Sequence, residues 1–267
     1  MPKKLFLSIT LLLYSTFFLG QSKQPDIAFD SDYFNAVDHW VVLPKKPTET
    51  SYLLGYIYLD AASGFTFVFD SFLTIGSEDS WSSFSTLKNF IFKTILNKNA
   101  PLVAIIADDK IKELQLLEKP QWLKRYDSDN TPDVLVGKGS QYNAIGKSDL
   151  ALPFLENAYR QNPKTKNVAF ELALAYNATH QFQKAIAVLN AALQNETDYK
   201  LYRELGFALV QIQKFNDAEK VYELGIESCP ETSQKREMAI DMAQTFYRLQ
   251  DTDKFEKWKA ILKNFIK

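Results

Sequence analysis

Two rhythms of apolar positions divide the chain near Pro132. Upstream of it, hydrophobic residues fall in short runs rich in aromatic and β-branched side chains. The runs at 52–59 and 65–69 flank the short linker Asp60-Ala61-Ala62-Ser63-Gly64, which predicts a β-hairpin. Phe65, Phe67 and Phe69 alternate with Thr66 and Val68, so one sheet face should carry the three phenylalanines. A stripe of this kind reads as core, and an exposed ligand platform is the alternative. Trp40-Val41-Val42-Leu43 and residues 102–107 are two further strand candidates. The spacing of Phe84, Leu87, Phe90, Ile91 and Ile95 predicts a helix between them and the hairpin, and residues 109–117 a short helix ending near Pro120. Trp122 and Tyr126 are expected to dock onto the helical half. Residues 23–130 therefore read as a small α+β domain.

From residue 131 to 267 the pattern recurs on a longer scale. Tyr142, Tyr176, Leu209 and Phe246 follow one another at intervals of 34, 33 and 37 residues. Three residues before each stands a small residue: Gly139, Ala173, Gly206, Ala243. Nine residues after each of the first three comes Ala151, Ala185 or Ala218, then Leu155, Leu189 or Tyr222, and the units close on Pro163, Thr197 and Pro230. Antiparallel helices approach closely only where one offers Gly or Ala to a bulky side chain of the other, so the small positions inform as much as the large ones. Gly146, His180 and Gln213 occupy the turn inside successive units, where a left-handed backbone conformation is common.

In stretches such as Phe170-Glu171-Leu172-Ala173-Leu174-Ala175-Tyr176 and Phe182-Gln183-Lys184-Ala185-Ile186-Ala187-Val188-Leu189 the sequence resembles the tetratricopeptide repeat (TPR) family. The match covers about half of the chain. It weakens in the first unit, where Lys138 stands at a usually apolar position, and in the fourth, where Phe255 replaces the alanine. The fold class implied is α+β: a small N-terminal α+β domain, then an all-α TPR helical solenoid of three clear repeats and a degenerate capping repeat. In that capping unit Phe255, Trp258, Ile261, Leu262 and Phe265 should cover the open end, and the N-terminal domain should cover the other.

The extreme N-terminus follows another logic. Lys3 and Lys4 precede an apolar run at 5–19 that ends in Gly20-Gln21-Ser22, which reads as a signal peptide spanning 1–22, cut after Gly20 or Ser22. The run is short for a membrane span, and membrane contact is expected only if the signal stays uncleaved. No cysteine follows it, and the single Cys229 leaves no intramolecular disulfide framework. Export with one thiol fits a bacterial periplasm or cell surface, and the whole chain is similar to exported TPR proteins of Gram-negative bacteria.

Charge and chemistry narrow the function. Lys and Arg number 31 against 32 Asp and Glu, without the basic excess of a nucleic-acid binder. With only His39 and His180 besides Cys229, a His/Cys metal site is excluded, and no cofactor is implied. Gly146-Lys147-Ser148 fails as a phosphate loop because Gln141 stands where its first glycine belongs. The run from Asp127 to Asp133 fails as a calcium loop, with Pro132 at the turn glycine and Lys138 at the bidentate glutamate, and reads as a linker and helix start. Asp108-Asp109 reads as a loop or helix cap, Cys229 as a buried structural thiol, and no nucleophile–base arrangement can be drawn.

The TPR resemblance implies a concave groove lined by the first helix of each unit. In this chain it nominates Asn143, Phe170, Leu174, Asn177, Arg203, Phe207, Val210, Gln244 and Tyr247. Their mixture points to an apolar or extended peptide, with asparagine amides free to bond its backbone. The Lys/Asn clamp with which some TPR proteins hold a terminal carboxylate is not reproduced, since Val136 and Ser140 fill two of its places. The function expected is an exported scaffold or adaptor for a protein or peptide of the cell envelope. Its alternative is a hydrolase or ligand-binding activity in residues 23–130.

Overall fold

A computed structural model describes residues 27–85, 91–127 and 130–265. The expected signal peptide, and Leu87 and Phe90 of the expected helix, lie outside these residues.

Six strands form one antiparallel sheet: β1 (His39–Leu43), β2 (Tyr52–Asp60), β3 (Gly64–Ile75), β4 (Trp81–Phe84), β5 (Lys93–Ile95) and β6 (Ala104–Ile105). The order is β4-β3-β2-β1-β6, with β5 also on β3. The hairpin of β2 and β3 forms as expected. Asp60 Oδ1 accepts from the Ala62 and Ser63 amides, and Gly64 takes φ +86° to close the turn. β3 continues well past Phe69. Its outer edge is long enough for β4 to pair along 72–75 and β5 along 66–68. The helix expected from Phe84 to Ile95 is thus replaced at both ends by strands. Paired backbone along the β3 edge outweighed a helical spacing of apolar residues.

The sheet is buried on both faces. On one, Trp40, Tyr56 and Tyr58 pack beneath α1 (Asp108–Glu113) and Trp122, which precedes the single turn α2 (Lys124–Asp127). Trp122 stacks edge-on at 5.3 Å from Tyr58, so it docks on the sheet and not on the first repeat. The apolar sheet face needed a cover close in sequence, and Trp122 supplies it. Asp108 and Asp109 sit in the first turn of α1, where their charge suits the helix dipole.

The other face carries Phe65 and Phe67, each 3% exposed, with Ile57 and Val41. Here the phenylalanine stripe is core. It continues without a break into the helical half: Phe65 meets Tyr142 edge-on at 5.2 Å, and Ala61 lies against Gly137.

Eight helices follow as four antiparallel pairs: α3 (Pro132–Ala144) with α4 (Ser148–Gln161), α5 (Val168–Ala178) with α6 (Phe182–Ala192), α7 (Tyr199–Gln211) with α8 (Phe215–Ser228), and α9 (Thr232–Arg248) with α10 (Thr252–Lys263). The predicted turns recur with one geometry. Gly146, His180, Gln213 and Gln250 all take positive φ, from 59° to 72°. One residue on, the amides of Lys147, Gln181, Lys214 and Asp251 donate to the carbonyls of Tyr142, Tyr176, Leu209 and Phe246 at 2.7–3.1 Å. These bonds cap helix ends whose carbonyls would otherwise lack donors.

Small-against-large packing holds the pairs. Ala151, Ala185 and Ala218 are wholly buried, and Gly139 and Gly206 let Leu155 and Tyr222 lie against bare backbone. At the far end Trp258 is 0% exposed, with Phe255, Ile261, Leu262 and Phe265 packed around it. Its indole N–H donates to Glu219, which also receives Lys254 and Lys257.

Candidate functional site

The helix α5 packs beside α7, and α9, which packs on α8, borders the same surface. Leu174, Asn177 and Ala178 of α5, Arg203, Glu204 and Phe207 of α7, and Glu237 and Asp241 of α9 enclose a pocket of about 490 Å³, with Tyr222 of α8 also in its wall. Four of the nine nominated residues, Leu174, Asn177, Arg203 and Phe207, meet here. Phe207 is 39% exposed and gives the pocket an apolar wall.

The other nominated residues lie elsewhere. Asn143 is one repeat earlier, Val210 is half-buried against the core, and Gln244 is exposed on α9. Phe170 is half-buried beneath the Lys200 ammonium, 5.9 Å from its ring centroid. Tyr247 is 70% exposed and pairs with Phe255 at the turn into α10.

The asparagines do not play the part expected of them. Asn143 Nδ2 donates to the Glu171 carbonyl oxygen at 2.9 Å and to its Oε2 at 2.8 Å. One repeat on, Asn177 Nδ2 donates to the Glu204 carbonyl oxygen at 3.1 Å and to its Oε2 at 3.0 Å. Both amides therefore tie one repeat to the next. An amide flanked by two oxygens is worth more as an inter-helix fastener than facing solvent. What remains are their acceptors: Asn143 Oδ1 and Asn177 Oδ1 are both closed off from solvent without a hydrogen-bond partner.

The ladder stops at its third rung. Val210 takes the asparagine position and Asp241 the acidic position, two residues before Ala243 as Glu171 and Glu204 stand before Ala173 and Gly206, so Asp241 receives no amide. Arg203 does not replace it. Its guanidinium bonds Glu204 Oε1 through Nε and Nη2, at 3.3 and 3.1 Å, and Gln234 Oε1 through Nη1 at 2.6 Å. Glu237 and Asp241, one turn apart on α9, form no salt bridge among the described residues. Asp241 Oδ2 accepts only a long bond from the Tyr222 hydroxyl, 3.4 Å. Asp241 keeps solvent access but is crowded by the pocket walls. That desolvation raises its carboxyl above the usual range, Glu237 adds to the rise, and Tyr222, Arg203 and Arg248 oppose it.

Sequence reasoning missed Glu204, Tyr222, Glu237 and Asp241. The signal was present in the repeat frame, where Glu171, Glu204 and Asp241 each stand two residues before the small residue of their unit.

A family model for the tetratricopeptide repeat matches residues 146–205, and the helix pairs on either side of them repeat the same turn geometry. Tetratricopeptide repeat protein 21A of mouse and of human are 33% and 34% identical to this chain over 89 residues, a third of its length. The chain spans only 7% of the length of these curated relatives. Among solved structures, a crystal structure of MamA is 19% identical with a TM-score of 0.47, covering 54% of this chain and 82% of its own. MamA from Desulfovibrio magneticus RS-1 is 16% identical with a TM-score of 0.44, covering 59% and 82%.

In the repeat frame the remaining candidates find structural places. His180 is an exposed turn residue, and Cys229 is buried with its thiol 3.4 Å from the Glu231 carbonyl. Among the described residues no group of three or more metal-ligating side chains comes together, and no helix is long and apolar enough to cross a membrane.

Proposed function

We propose that the protein is a scaffold or adaptor that holds an extended segment of a partner protein along the surface presented by α5, α7 and α9. The observation that carries this reading is the pocket itself. It opens between successive repeats and combines an apolar wall at Phe207 with the unpartnered acceptor of Asn177 and two unpaired carboxylates. A pocket of a few hundred cubic ångströms suits one side chain of such a segment, with the flanking backbone running across neighbouring repeats.

Export belongs to the same proposal. Lys3, Lys4 and the apolar run at 5–19 support a cleaved signal and a partner in the cell envelope. The alternative, a hydrolase or ligand-binding activity in residues 23–130, has less behind it among the described residues. His39 Nδ1 lies 2.8 Å from the Val37 carbonyl, and the aromatic stripe is buried.

Crosslinking capture from native envelope, comparing wild type with Phe207→Ser, tests the reading. Arg203 is a poor target because its guanidinium is engaged by Glu204 and Gln234. Prey lost from the variant, with its melting temperature kept, is the expected result. Identical prey from both proteins would move the binding surface away from this pocket.

A further inference from the structure

We propose that the pocket selects a lysine or arginine side chain of the extended segment it holds. This rests on the groove reading above and names the chemistry of its partner.

The interrupted ladder is the starting point. In two successive repeats the carboxylate at the Glu171 and Glu204 position is tied down by the preceding asparagine. In the third, valine at 210 leaves Asp241 in the pocket without an amide, and Glu237 joins it from one turn earlier along the same helix face. Like charges four residues apart disfavour a helix, and among the described residues neither carboxylate forms a salt bridge, Arg203 and Arg248 acting on Asp241 only from a distance. Arg203, the cation nearest in the wall, is already satisfied by Glu204 and Gln234.

The second observation is independent of charge. Asn177 is 4% exposed, lines the same pocket, and its Oδ1 has no partner. A buried acceptor left unmade is costly, and a donor that enters the pocket and parts the side chains closing off this oxygen relieves it. A lysine or arginine head supplies several N–H donors and positive charge together, while its aliphatic stem lies along Phe207 and Leu174. A neutral or acidic side chain offers one of these features or none.

An array of immobilised octapeptides, randomised except for one fixed residue, reads this preference directly from binding of the mature chain. Peptides fixed as Lys or Arg should bind about tenfold better than those fixed as Glu, a difference of the size of one charge-assisted hydrogen bond. Glu237→Gln with Asp241→Asn should bring the two classes to parity. Neither carboxylate makes a salt bridge, so the double variant should keep its melting temperature. Should it fold poorly, the wild type still decides: raising ionic strength from about 0.05 to about 0.5 M should erase most of the basic preference through screening.

Binding without preference for basic residues, lost in Phe207→Ser, overturns this inference and leaves the groove reading standing. Binding of no peptide class overturns both. Self-association of the wild type that the double variant abolishes assigns the pocket to a second copy and overturns the proposal.

Discussion

Gly206→Ala isolates the packing rule on which the repeats depend. By helix propensity alone the substitution stabilises, because glycine in a helix interior costs about 1 kcal/mol relative to alanine. Position 206 is interior to α7, with ordinary helical backbone, so that gain applies in full. Against it stands geometry. A Cβ at 206 would lie 2.8, 2.8 and 2.9 Å from three ring atoms of Tyr222. The ring is rigid and 1% exposed, so relief requires α7 and α8 to separate. Overpacking of this kind costs about 1 to 3 kcal/mol, and a planar ring with nowhere to turn belongs at the upper end. The net expectation is a loss of about 1 to 2 kcal/mol, or roughly 2 to 8 °C in melting temperature for a chain of this size. Urea and thermal unfolding followed by circular dichroism measure it, and Gly206→Ala with Tyr222→Leu should recover most of the loss. A midpoint raised or unchanged in the single variant would refute the close-approach account of the helix pairs.

Three further outcomes follow from the geometry. Trp258→Ala should cost about 3 to 5 kcal/mol by opening a cavity under the last pair, measured by urea unfolding; a change below about 1 kcal/mol would show that the cap is not part of the cooperative core. Asn177→Leu removes the rung between α5 and α7 and leaves Glu204 without its amide, so a loss of about 1 to 3 kcal/mol is expected by the same assay, with neutral behaviour contradicting the ladder. Tyr142→Phe tests pH dependence. Burial, with Asp38 adding to it, pushes the Tyr142 hydroxyl up to about 12 from 10, so the unfolded chain ionises first and wild-type stability falls as pH rises from about 10 towards 12. The phenylalanine variant should match wild type near neutral pH and lose less across that interval. Parallel curves would remove Tyr142 from the alkaline transition.

The helical half was legible because its constraints repeat. A glycine at 146 is ambiguous alone; aligned with His180 and Gln213 it marks a turn, and all three adopt the left-handed conformation. The hairpin at 60–64 was legible from local chemistry, with Asp60 capping its own turn. The strands β4 and β5 were not, because what decides them is the unpaired edge of β3, a partner distant in sequence whose pairing no local window records. Trp122 was misplaced for a related reason: its target, the face of Tyr56 and Tyr58, exists only once the sheet is assembled. In the pocket, apolar residues were found from their offset to the small positions. The carboxylates escaped because Glu171, Glu204 and Asp241 hold the same place in their units, and only the asparagine bonds separate two amide-bound groups from one without an amide.

The unbroken core between the sheet and the first repeat gives the array a direction. Stacked repeats that touch only their neighbours can begin folding at any unit. Here Phe65 and Ile57 precede Tyr142 in the chain and belong to the sheet face on which α3 packs, so the first pair has a surface to settle onto. Each later pair then meets a finished face on its N-terminal side. The sheet acts as a template from which order spreads, and protection of backbone amides from exchange should accordingly decline from α3 towards α10.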